Sequence, residues 1–170
     1  PLSSSAASDV YKRQEEDLQN VDVLVFDMQD VGVRFYTYIS TMQLVMEAAA
    51  EYGRQVVILD RPNPNGSYIA GPIMEPEHVS FVGMAPIPVV HGLTIAELAL
   101  MINGELWLSN GVFLDEGDLK VVKVPEYSHS DSYSLPVAPS PNLQTDESVI
   151  HYPSLGSVSY THLTLPTTIE

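Results

Sequence analysis

Cysteine is missing from all 170 residues, which excludes a disulfide, a thiolate metal site and a cysteine nucleophile and leaves the redox compartment open. Basic residues are scarce. Seven Lys and Arg face 22 Asp and Glu, for a formal net charge of −15, which argues against nucleic acid as a partner and against an anionic membrane surface. No apolar run approaches the roughly 20 residues that cross a bilayer as a helix, so no membrane span is expected. The sequence contains no G-x-G-x-x-G, no G-x-x-x-x-G-K-[ST], no G-x-S-x-G and no H-E-x-x-H. Dinucleotide binding, P-loop chemistry, a serine-hydrolase elbow and a zincin helix therefore have no support, and no cofactor is implied.

The two ends stand apart from the middle. Residues 1–14 (PLSSSAASDVYKRQ) and 157–170 (SVSYTHLTLPTTIE) are Ser/Thr-rich and lack hydrophobic period. They read as disordered or non-native tails, and DVYKRQ and SYTHLTLPT resemble translated sequencing-adapter strings. Residues 15–156 are expected to form a partial domain, cut at both sides, and His162, Lys12 and Arg13 are set aside on that ground.

The centre of the chain is DVLVFDMQDVGVRFYTY at residues 22–38. An apolar run ended abruptly by Asp27 reads as a strand over residues 21–26, buried on both faces. A helix is predicted over 36–52, closed by Gly53, and a second buried strand over 56–59. Strand, helix and strand within so short a span form a βαβ unit with parallel strands. Residues 87–90 read as a third short strand at an edge, because Pro88 interrupts it. Thr94 and Glu97 fit a capping box for a helix over 94–103, and 119–124 reads as a strand. Residues 125–153, rich in Pro, Ser and Asn, read as a long loop.

In open α/β sheets ligands bind beyond the carboxyl ends of the strands. Three strand exits carry polar groups to that edge: Asp27, Gln29, Asp30 and Arg34; Asp60, Arg61, Asn63 and Asn65; and His91. If the three strands are parallel neighbours, these side chains line one crevice. Planar hydrogen-bonding groups with Tyr36, Tyr38 and Tyr68 nearby suit sugar hydroxyls, and Arg suits a carboxylate or phosphate. The plainer roles stand beside these. Asp27 and Asp60 fit capping of their turns, Arg34 fits a structural pair with Asp30, His91 fits a structural hydrogen bond, and Glu75, Glu77 and His78 fit a solvated turn. Asp27, Asp60 and His91 could also ligate a metal, although their spacing does not demand one.

DVLVFDMQDVGVRFYTYIST, VVILDRPNPNG, GPIMEPEHVSFVGMAPIPVVHGLTIAELA, MINGE and LPVAPSPNL closely resemble the exo-β-N-acetylmuramidase (NamZ) family, formerly a domain of unknown function, in order from about Val21 to Leu155. The resemblance implies a Rossmann-like α/β domain, mostly parallel and flanked by helices, here incomplete at both ends. It implies a bacterial glycosidase that releases N-acetylmuramic acid from non-reducing ends of peptidoglycan fragments during cell-wall recycling, with periplasmic or secreted residence. Its partner is then a peptidoglycan-derived muramyl saccharide. Gln29, Arg34, Asp60, Arg61, Asn63, Asn65 and His91 become candidate substrate-binding residues, with Arg34 or Arg61 on the lactyl carboxylate. The family pattern has an upstream Pro-Glu-His-Gly whose glutamate is the acid/base, and this sequence has none. Pro76-Glu77-His78 is followed by Val79, so that role is not carried onto Glu77. Asp27, Asp30 and His91 remain weak catalytic candidates, and the fragment by itself is expected to be inactive. The rival expectations are a carbohydrate-binding α/β module without catalysis and a metal-dependent hydrolase.

Overall fold

The computed structural model describes residues 18–162, with side chains to Gly156. The expected tail over residues 1–14 lies outside them, as do 163–170. Three strands form one parallel sheet in the order β1 (Val23–Phe26), β2 (Gln55–Leu59), β3 (Leu119–Val122). Between β1 and β2 runs α1 (Tyr38–Tyr52), and between β2 and β3 runs α2 (Ile95–Gly104). The chain is α/β and Rossmann-like, as the sequence predicts.

Each helix has a local cause. α1 is built of Ala, Met, Leu and Glu, and Gly53 ends it at φ 63°, a left-handed conformation that costs glycine little. α2 starts at the predicted capping box. Glu97 N–H donates to Thr94 Oγ1 and Thr94 N–H to Glu97 Oε2, an arrangement worth about 1 kcal/mol.

The register puts Leu24, Phe26, Val56, Ile58, Leu119 and Val121 on one face of the sheet, where they pack against Met42, Met46, Leu98 and Ile102 of the two helices. The other face is bare among the described residues. Val25 is 62% exposed, Val122 54% and Val23 40%. This corrects the expectation that β1 is buried on both faces. An unbroken apolar run cannot distinguish a strand covered twice from one covered once, and here both helices take the same side.

A second correction concerns residues 87–90, which are not a strand of the sheet. Val90 instead forms isolated antiparallel bridges with Val33 and Ala70, tying together three loops. The long loop also ends sooner than expected, because α3 (Asp146–His162) occupies its last part, with Pro153 inside it. Thr145 and Ser148 exchange side-chain-to-backbone hydrogen bonds at its start. The expected tail at 157–170 therefore begins within α3, whose side chains beyond Gly156 are not described. Val149 of α3 joins Val31, Val33 and Leu143 in a second, smaller core with Phe35, Tyr36 and Tyr152 at its margin.

Candidate functional site

The polar residues of the three expected exits divide into an exposed pair, a buried knot and a cavity wall. Asp27 and Arg61 leave β1 and β2 side by side, and the guanidinium donates to Asp27 Oδ1 from Nε at 2.7 Å and Nη2 at 2.6 Å. Both side chains are about half exposed, so the pair adds little stability. Gln29, half-buried next to them, donates to the carbonyls of Asp30 and Pro62. Asp60 turns toward α2 and accepts from Ala96 N–H at 3.0 Å.

Asp30, His91, Asn63 and Asn65 are all buried. Asp30 Oδ2 accepts from Gly32 N–H at 2.7 Å and lies 3.4 Å from His91 Nε2. His91 Nδ1 accepts from Leu93 N–H at 3.2 Å, so the neutral ring carries its hydrogen on Nε2, facing the carboxylate. Asn63 accepts from Asn65 N–H and donates to Leu93 O, while Asn65 donates to Val31 O and Val149 O. These amides staple the loops after β1, β2 and residue 90 to α3. The bridge of Val90 to Val33, rather than a third parallel strand, delivers His91.

Arg34 lies elsewhere. Its Nη1 donates to Pro72 O at 2.9 Å and also to Ile87 O, so the guanidinium is fixed by backbone at the wall of a cavity of about 440 Å³. Glu75, His78 and Ser80 add polar groups to that cavity, and Phe35, Ile73 and Val82 add apolar ones. A concave space with mostly apolar walls and a few convergent polar groups is the usual form of a small-molecule site. On its far side of Phe35 lies a shallower pocket of about 280 Å³, with Tyr36, Tyr38 and Tyr152 around it. Tyr68, grouped with Tyr36 and Tyr38 from the sequence, lines neither space.

The suggested metal set of Asp27, Asp60 and His91 does not converge, since each side chain has gone to a different partner. Among the described residues the donors that do converge are Glu75, Glu77 and His78, within 4.8 Å of one another and all exposed. A third hollow, of about 250 Å³, lies between β3 and the start of α2. Its polar lining includes Asp60, Glu97, Lys123, Tyr127 and His129, with His129 Nε2 3.1 Å from Glu97 Oε1. Sequence reasoning saw Glu97 only as a cap and passed over Tyr127 and His129. No periodic or motif signal marks them, since they sit in irregular chain.

Tyr36 has its phenol pushed well above the ordinary value of 10.0, chiefly by burial and next by the neighbouring Tyr38. The neutral phenol is thus the form the fold favours. Below pH 10 its contribution to stability is complete, and above pH 10 an unfolded chain releases a proton that the folded chain retains, so stability falls as pH rises. Among the nine tyrosines, Tyr36 is expected to be among the last to ionise in an ultraviolet titration. Tyr36→Phe should remove a late phase, and an unchanged late phase in that variant would contradict the assignment.

The model of the family described as "Exo-beta-N-acetylmuramidase NamZ, N-terminal" matches residues 4–147. A Bacillus subtilis (strain 168) protein named peptidoglycan beta-N-acetylmuramidase NamZ is 50% identical over 157 residues, covering 89% of this chain and 36% of that protein. Two crystal structures of DUF1343 family proteins from Bacteroides fragilis NCTC 9343 are also similar. One is 48% identical with a TM-score of 0.79, over 83% of this chain and 39% of the other. The second is 41% identical with a TM-score of 0.81, over 87% and 38%. The chain thus spans rather more than a third of the length of the relatives it matches.

Proposed function

The chain belongs to the exo-β-N-acetylmuramidase NamZ family, within its N-terminal part, and from that premise we propose that it forms the saccharide-holding portion of an exo-acting peptidoglycan glycosidase. The observation that carries this reading is the 50% identity to the Bacillus subtilis muramidase over nearly the whole chain. The substrate is then a glycan fragment with N-acetylmuramic acid at its non-reducing end. A cell-wall substrate in turn favours periplasmic or secreted residence.

The cavity at Arg34 suits such a sugar. N-acetylmuramic acid differs from its neutral relatives by a lactyl ether that ends in a carboxylate, and a guanidinium is the side chain best matched to that group. Of the two arginines singled out from the sequence, Arg34 is the better candidate. Its Nη1 donates to two backbone carbonyls at the wall of a cavity of about 440 Å³, whereas Arg61, paired with Asp27, lines none of the three spaces described above. Ile73 and Val82 supply apolar surface for the lactyl and acetyl methyl groups. Glycoside hydrolysis also needs a carboxyl pair across the scissile bond. The resemblance assigns the acid/base glutamate to a Pro-Glu-His-Gly stretch that this sequence does not contain, so the chain alone is proposed to bind saccharide without cleaving it.

The test uses the complete gene product acting on muramyl-N-acetylglucosamine. Arg34→Ala is expected to raise KM by roughly 10- to 100-fold, the effect of losing a charged hydrogen bond worth about 1.5–3 kcal/mol. Arg61→Ala is expected to leave KM within about twofold. Wild-type protein that releases no N-acetylmuramic acid would remove the glycosidase reading. Activity with an unchanged KM in Arg34→Ala would remove only the assignment of the carboxylate contact.

A further inference from the structure

Gly83 has no conformational reason to be glycine. Its φ lies outside the left-handed region, unlike that of Gly32, Gly53 or Gly71, so alanine can follow the same backbone path. The reason is space. Gly83 is buried, and a Cβ there would overlap the Cε methyl of Met74 and stand 3.4 Å from Nε and 3.5 Å from Cδ of Arg34. Resting on the reading of Arg34 as the muramyl contact, we propose that Gly83 is a positioning residue: its missing side chain leaves a socket for the Met74 methyl and so keeps that methyl out of the cavity that Arg34 serves.

Three observations support it. First, the socket is fixed in shape. Ser80 N–H donates to Gly83 O at 3.2 Å and Gly83 N–H to Ser80 O at 2.8 Å, which closes the turn between them. Second, Met74 and Arg34 share an anchor. Ile87 O accepts from Met74 N–H at 3.2 Å and from Arg34 Nη1, and Pro72 O, two residues before Met74, accepts from the same Nη1. The Met74 backbone is therefore pinned beside the guanidinium, and what can move is its side chain, whose thioether is unbranched and adaptable. Third, Met74 lines the same cavity of about 440 Å³ as Arg34, whereas Gly83 does not line it. A methyl displaced by a Cβ at 83 has open space on the cavity side and moves there rather than against close-packed neighbours. The effect of residue 83 on a bound sugar thus passes through Met74.

The test is a double-mutant cycle of Gly83→Ala and Met74→Ala. In the 170-residue chain with carbon-13 methionine methyls, the Met74 signal is identified by its loss in Met74→Ala. It is expected to show a nuclear Overhauser contact with the Gly83 Hα protons and to shift in Gly83→Ala. Gly83→Ala should bind N-acetylmuramic acid roughly 5- to 100-fold more weakly, the range for a group forced into occupied space. The double variant should bind it within about twofold of Met74→Ala alone. In the complete gene product acting on muramyl-N-acetylglucosamine the same pattern should be carried by KM rather than kcat, which a general loss of fold would not produce. Absence of the Met74–Gly83 contact, unchanged affinity in Gly83→Ala, or the same loss whether residue 74 is Met or Ala would overturn the proposal. So would a Gly83→Ala chain that fails to fold and is not restored by Met74→Ala, since the clash would then lie elsewhere. A Met74 signal that moves in Gly83→Ala, with no binding of N-acetylmuramic acid by any of the proteins, would uphold the displacement and overturn the muramyl reading beside it.

Discussion

Replacing Gly32 by alanine is expected to cost roughly 3–6 kcal/mol, enough to leave much of the chain unfolded given typical domain stabilities of about 5–15 kcal/mol. Two effects act together. Gly32 has φ 76°, where a side chain costs about 1–2 kcal/mol. A Cβ there would also sit 2.3 Å from Asn63 Oδ1 and 2.6 Å from Nδ2. The Asn63 amide cannot simply swing away, because its oxygen takes Asn65 N–H and its nitrogen gives to Leu93 O. Each buried group left without its partner adds about 1–3 kcal/mol. Urea unfolding of wild type and Gly32→Ala measures the difference directly. A loss below about 1 kcal/mol would mean that the loop shifts as a body and that the contact at Gly32 is not tight.

Asp30→Ala comes next, at roughly 1–3 kcal/mol, the usual loss when a buried N–H, here that of Gly32, is left without its acceptor. The carboxylate accepts from Gly32 N–H and faces His91 Nε2, and all of these groups are away from water. His91 has no easy alternative, since its Nδ1 is already occupied by Leu93 N–H. Asp30→Asn should cost less, roughly 1–2 kcal/mol, because its amide oxygen can keep the Gly32 bond while its NH2 group meets the Nε2 hydrogen of His91 donor to donor. The same denaturation series decides the matter. Equal effects of Ala and Asn would show that His91 does not depend on the carboxylate. With side chains only 1% and 4% exposed, His91 and Asp30 are enclosed within the loops they join.

The sequence made the βαβ unit legible because each element there announced itself locally: an apolar run, an Ala/Met-rich helix with a terminal glycine, another apolar run. The α2 capping box was legible atom by atom. The start of α3 was hidden, since the Pro, Ser and Asn around Thr145 carry no helical period and its cap forms from Thr145 and Ser148. In the candidate site the meeting of Asp30, Asn63 and Asn65 could be anticipated from the exits of β1 and β2, whereas His91 was expected at the end of a third strand and arrives through the bridge of Val90 to Val33. Their consumption by backbone partners could not, because those partners come from residues up to 84 positions away. The separation of Arg34 from Arg61 was also unreadable. It depends on the path of residues 72–87, whose carbonyls reach Arg34 from a stretch without regular structure.

The bare face of the sheet has a consequence for the colloidal behaviour of the isolated chain. Among the described residues Val23 and Val25 on β1 and Val122 on β3 leave apolar surface at the two edges of that face, on a molecule of net charge −15, so two copies would be drawn together by one surface and pushed apart by the rest. At low ionic strength repulsion dominates. At about 0.15 M salt the Debye length falls to about 8 Å, and the apolar surface becomes the stronger influence at close range. Self-association of the chain is therefore expected to rise as salt is added to dilute buffer.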